Sequence, residues 1–120
     1  MFGSDCTKSA VLMKPVFAYI TCPDTDSAVS MGRNLVEQRL AACVNILPGM
    51  TSIYHWKGAI EQDNEVVLIA KTSTELFESL KNSVCELHPY ECPCVLELPV
   101  GRGNQPYIDW LDENLGGTNG

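Results

Sequence analysis

Hydrophobic positions along this chain switch between the period of a strand and the period of a helix. Val16 to Thr21 is a short β-branched and aromatic run, which predicts a buried strand. Cys22-Pro23-Asp24 closes it, and Asp24 or Thr25 offers a side-chain oxygen to cap a helix. Ala28, Met31, Leu35, Val36 and Leu40 then recur at helical spacing, with the stem of Arg39 along the edge of the stripe. Cys43 to Leu47 predicts a second strand, interrupted by Pro48-Gly49 as a bulge or bend. Strand character resumes at Ser52 and runs to about Glu61, with Tyr54, Trp56 and Ile60 expected on one face and Ile53, His55 and Lys57 on the other. Asp63-Asn64 reads as the hairpin turn, and Glu65 to Lys71 as the third strand.

Thr72 and Glu75 have the spacing of a capping box, and Leu76, Phe77, Leu80, Val84 and Leu87 form the stripe of a second long helix that Pro89 stops. Val95 to Leu98 predicts a fourth strand, ended by Pro99. Asn104 can cap a last helix with Pro106 in its first turn, Ile108, Leu111 and Leu115 as its apolar face, and Gly116 as its stop. The order strand, helix, strand, strand, helix, strand, short helix is α+β. It predicts a ferredoxin-like βαββαβ antiparallel sheet with helices on one face and an extended hairpin of the second and third strands. Residues 1–14 read as an N-terminal tail, 15–115 as the domain and 116–120 as a C-terminal tail. A long hairpin left bare on a single subunit invites aggregation, so pairing between copies in a closed homo-oligomer is expected.

With 120 residues, 45% of them apolar, the chain supports one core in one domain. Its net charge of −7 argues against a nucleic-acid surface or an anionic-lipid surface, both of which need a basic footprint. No stretch approaches the roughly 18 apolar residues of a membrane span, and the N-terminus has no apolar run typical of a secretory signal. Six cysteines allow a disulfide framework, but Cys22, Cys43, Cys85 and Cys94 fall in or beside predicted elements whose patterning builds a core without staples. Reduced thiols and a cytoplasmic location follow as the expectation.

Two groups of residues carry candidate chemistry. Cys85, His88, Cys92 and Cys94 crowd thiols and an imidazole into ten residues, and these are soft ligands suited to copper or zinc. Cys85 and His88 share a helical face, whereas Cys92 and Cys94 lie about 7 Å apart in an extended strand, so one ion needs a bend at Pro93. The competing reading is a helix-to-strand corner that carries thiols as small buried hydrophobes. Tyr54, Trp56, Glu65, Lys71 and Tyr107 offer a small-molecule cleft between subunits, in which a lysine among aromatics with a nearby carboxylate holds an anion or zwitterion. The alternative there is that the aromatics pack the sheet or the subunit interface, with Lys71 paired to a carboxylate. Catalysis finds no nucleophile elbow, Gly-rich phosphate loop or paired-histidine zinc helix, so no enzyme is expected. A cysteine–histidine nucleophilic pair, Cys85 or Cys92 with His88, is the remaining enzymatic option.

The segments Leu40-Ala41-Ala42-Cys43-Val44-Asn45, Pro48-Gly49, Ser52-Ile53-Tyr54, Trp56-Lys57-Gly58, Lys71-Thr72, His88-Pro89-Tyr90 and Gly103-Asn104-Gln105-Pro106-Tyr107 with Trp110, in that order and spacing, resemble the CutA divalent-cation-tolerance family over about residues 15 to 115. The resemblance implies a ferredoxin-like fold similar to PII signalling proteins, a tight homotrimer with hairpins paired between subunits, tolerance of copper and other divalent cations, and no established enzymatic activity. It also implies two other readings: a PII-like sensor with a metabolite in the intersubunit cleft, or a scaffold, since animal relatives are associated with anchoring an esterase. Some bacterial members bind copper through a cysteine near the end of the first strand and two adjacent histidines. Here His88 matches the second histidine, Leu87 stands in place of the first, Ile20 falls at the cysteine position, and Cys94 stands where many members carry glutamate.

Overall fold

The computed structural model describes residues 13–116. The expected tails fall almost wholly outside the described residues. Seven elements occur in order: β1 (Pro15–Cys22), α1 (Thr25–Glu37), β2 (Cys43–Trp56), β3 (Ala59–Ser73), α2 (Phe77–Leu87), β4 (Val95–Pro99) and α3 (Gln105–Glu113). The four strands form one antiparallel sheet in the order β2-β3-β1-β4. This is the ferredoxin-like arrangement that the element order predicts.

Residue parity divides the sheet into two faces. Val16, Ala18, Ile20 and Cys22 of β1 and Val66, Leu68 and Ala70 of β3 are buried on one face, against Ala28, Met31 and Leu35 of α1 and Phe77, Leu80 and Val84 of α2. Gly32 lies where α1 comes closest to the sheet: a Cβ there would stand 2.8 Å from Val44 Cγ2. The other face carries Phe17, Tyr19, Ile69 and Lys71, together with the exposed side chains of Leu47, Leu96 and Leu98.

The hairpin is longer than the rest of the sheet. Pairing of β1 with β3 stops at Cys22–Val66, whereas β2 and β3 stay paired out to Trp56–Ala59. The overall extents, 54 × 26 × 23 Å, reflect this arm. Pro48-Gly49 makes the expected irregularity, a register shift between Leu47 and Met50 with Gly49 at φ 86°.

Three local expectations are corrected. The hairpin turns at Lys57-Gly58, where both residues have positive φ (50° and 83°), as a two-residue type I′ turn demands. Asp63 and Asn64 instead lie within β3, paired with Ser52 and Thr51. Moving the turn reverses the parity of the residues beyond it: Ile60 pairs with His55, and Glu61 and Ala59 join Tyr54 and Trp56. The Thr72–Glu75 capping box does not form, because β3 continues through Ser73 and α2 begins at Phe77 without a side-chain cap. Thr72 is buried, and its hydroxyl donates to the Leu40 carbonyl at 2.7 Å. Finally, α1 ends at Glu37, since Arg39 takes a positive φ of 59°. Asp24 does cap α1, accepting from the Ser27 N–H at 2.7 Å, and this bond draws its carboxyl below the usual carboxylate range.

Candidate site at the base of the hairpin arm

His88 is the C-cap of α2, with extended backbone (ψ 138°). That turn takes its ring away from the outer helix surface and under the end of β1, where it is buried. Its Nε2 lies 2.7 Å from the Thr21 carbonyl oxygen, and its Nδ1 accepts from the Tyr90 N–H at 3.0 Å. A carbonyl only accepts, so Nε2 carries the hydrogen and the ring is the neutral Nε2–H tautomer. The Tyr90 ring lies 4.6 Å from the imidazole, and its hydroxyl donates to Glu65 at 2.9 Å. One step further out on the arm, the Tyr54 hydroxyl donates to Asp63.

Thr21, Tyr90, Glu65, Tyr54 and Asp63 border an open cavity of about 1160 Å³ between the arm and the segment after α2. Tyr54, Trp56 and Tyr90 supply aromatic surface, Glu61, Asp63, Glu65 and Glu91 the charge, and Cys92 and Cys94 two thiols. The electrostatics reflect this crowd of carboxylates. Tyr54 is pushed up to about 12, chiefly because its neutral hydroxyl donates to Asp63. Tyr90 is held well above the usual phenol range, first by burial and then by its bond to Glu65. Burial also raises the Cys94 thiol, and raises Cys22, beneath the cavity, to about 11.

The structure brings only part of the four-residue metal set together. Cys92 and Cys94 line the cavity, His88 lies buried with both ring nitrogens engaged, and Cys85 is exposed on α2. Among the described residues no three His, Cys, Asp or Glu side chains converge on a point that could hold a metal ion. A preformed chelate therefore does not fit this donor set.

The five-residue cleft likewise divides. Tyr54, Trp56 and Glu65 border the arm cavity. Lys71 lies six residues further along β3, about 20 Å away by strand rise. There its ammonium donates to the Tyr107 hydroxyl at 2.9 Å, and the Tyr107 ring stacks on Trp110 at 5.7 Å. Sequence reasoning missed Glu61 and Asp63 as site residues. Placing the turn at Lys57-Gly58 would have put them beside Tyr54.

The CutA1 divalent ion tolerance protein family model matches residues 16–114. The chain belongs to this family. It is 50% identical over 97 residues to the divalent-cation tolerance protein CutA of Thermus thermophilus, covering 81% of this chain and 94% of that one. It is 49% identical over 94 residues to human Protein CutA, covering 78% of this chain and 52% of the human protein. The solved Cut A1 structure from Thermus thermophilus superposes with a TM-score of 0.83 at 48% identity, covering 85% of this chain and 99% of that one. CutA1 from Oryza sativa gives 0.85 at 34% identity, covering 88% and 96%. CutA proteins from distant sources thus share this fold. Among the described residues of this CutA chain, no helix is long and apolar enough to cross a membrane.

Proposed function

We propose that this chain is a non-enzymatic divalent-cation-tolerance protein of the CutA type, acting as a cytoplasmic homotrimer that binds copper or another divalent cation weakly. The observation that carries the cation reading is the cavity at the base of the arm, where four carboxylates and two thiols share one basin. Such a basin raises the local concentration of cations without a fixed coordination geometry. Its occupant is held by whichever side chains move to meet it, with Cys92 and Cys94 offering soft sulfur and Glu65 and Asp63 hard oxygen. His88 joins only if a ring nitrogen gives up its partner, Nδ1 the Tyr90 N–H or Nε2 the Thr21 carbonyl, so its contribution as a ligand costs a hydrogen bond. Cys85 is placed to bind cations only at the surface of α2.

The trimer reading rests on the arm and on the open sheet face. Among the described residues both edges of the arm are unpaired beyond Cys22–Val66, and Leu47, Leu96 and Leu98 stand exposed on the open sheet face. Strand pairing between copies would satisfy those edges and cover those side chains. Free thiols at Cys22, Cys43, Cys85, Cys92 and Cys94 suit a reducing compartment.

Equilibrium dialysis against Cu²⁺ and Zn²⁺, with light scattering for mass, tests the reading. Weak binding that falls in a Cys92→Ser, Cys94→Ser variant and in Glu65→Gln, by a trimer, is the expected result. A stable single-subunit species, or copper affinity indifferent to all of these changes, would refute it.

A further inference from the structure

Lys71 is the one basic residue of β3, and among the described residues the groups in contact with its ammonium are neutral. Its strand partners are Phe17 and Cys43. The Nζ atom donates to Tyr107 Oη at 2.9 Å and stands 5.8 Å from the Phe17 ring centroid and 5.2 Å from that of Tyr107. Both distances are within cation–π reach. An ammonium has three N–H donors, and the Tyr107 bond uses one. Among the described residues no carboxylate pairs with it. That is unexpected in a chain with 15 Asp and Glu against 8 Lys and Arg, because half-buried charges ordinarily take a counter-ion.

The parts that hold the charge are fixed in place. Phe17 belongs to central β1, paired on both sides. Tyr107 is braced by Trp110, and α3 is anchored through buried Leu111. The ammonium is therefore prepositioned in an aromatic, poorly screened setting, where an oxyanion gains more than it would in bulk water.

We propose that Lys71, Phe17 and Tyr107 form a seat for a carboxylate on the open face of the sheet. A single ammonium balances a single negative charge, and the net charge of −7 disfavours multiply charged anions. The carboxylate belongs either to a small molecule or to an acidic side chain of a second copy, both of which present the same group. The seat is independent of the cation reading, since the arm cavity lies about 20 Å away along β3.

The test monitors the Cε–Hε NMR signal of Lys71 in lysine-labelled protein during titration with sodium acetate, against sodium chloride at matched ionic strength. A parallel arm measures assembly by sedimentation over a dilution series for wild type, Lys71→Gln and Lys71→Arg. A saturable acetate shift at Lys71, several-fold larger than that at exposed Lys57, supports a small-molecule carboxylate. No acetate response, with assembly weakened about tenfold or more by Lys71→Gln and restored by Lys71→Arg, supports the second copy. The seat is refuted if the wild-type Lys71 signal follows ionic strength alone and Lys71→Gln assembles like wild type. Should Lys71→Gln fail to fold, Tyr107→Phe takes its place; undiminished assembly in that variant, with no acetate shift in wild type, refutes the seat equally.

Discussion

His88 Nε2 lies 2.7 Å from the Thr21 carbonyl oxygen, which ties the end of α2 to the end of β1 across 67 residues of chain. The same ring holds the Tyr90 N–H, and Tyr90 in turn holds Glu65 on the arm. One imidazole therefore joins core, corner and arm. His88→Ala strands a buried carbonyl and frees the corner, and should cost about 2–3 kcal/mol. Urea unfolding measures this, and an unchanged midpoint would contradict it. Nitrogen NMR should show the Nε2–H tautomer in the wild type.

Tyr54 provides a pH signature. Its neutral phenol is the form that donates to Asp63, so folding raises its pKa from 10.0 to about 12. The stabilisation is complete below the ordinary phenol range and is lost as pH rises from about 10 towards 12. Tyrosinate absorbance should therefore show Tyr54 and Tyr90 ionising late. Asp63→Asn should return Tyr54 towards its usual value, and a titration unchanged by that substitution would discard the pair.

Thiol reactivity should rank by exposure and burial. Cys85 and Cys92 are exposed, Cys94 is half-buried with a raised pKa, and Cys22 is buried at about 11. Alkylation near pH 8, with peptide mass spectrometry as the readout, should label Cys85 and Cys92 first and Cys22 last. Early labelling of Cys22 would show that the end of β1 opens.

Gly32 tests the approach of α1 to the sheet. Alanine favours a helix by up to about 1 kcal/mol. Here its methyl would meet Val44 Cγ2 at 2.8 Å and Leu68 Cδ1 at 3.4 Å. Overpacking of this kind costs about 1–3 kcal/mol, so Gly32→Ala should lower the thermal midpoint. A rise would mean that the helix can lift without penalty.

The turn at Lys57-Gly58 needs two residues with positive φ. Lys57→Asn suits the type I′ geometry better and should stabilise the arm by a few tenths of a kcal/mol, whereas Gly58→Val should destabilise it by about 1–2 kcal/mol. Amide exchange across Tyr54–Glu61 reads both effects. Equal protection in the two variants would place the turn elsewhere.

Much of this was legible before folding. The strand and helix order, β1 as a buried strand, the apolar stripes of α1 and α2, and the irregularity at Pro48-Gly49 depend on neighbours a few residues apart. The family resemblance rests on short segments in a fixed order and is equally local. The arm was legible as an extended hairpin, but its turn was not: Asp63-Asn64 and Lys57-Gly58 both carry turn residues, and the choice between them depends on pairing across the whole length of β2 and β3.

The sequence by itself determined which segments become strands and helices, because residue spacing sets which side chains share a face. Only the tertiary structure decided which side chains meet. A turn displaced by about six residues along the chain put Glu61 and Asp63 beside Tyr54, and the extended backbone at the end of α2 took His88 away from Cys85 and under β1. Register and cap geometry are settled by packing between distant segments, which no local period records.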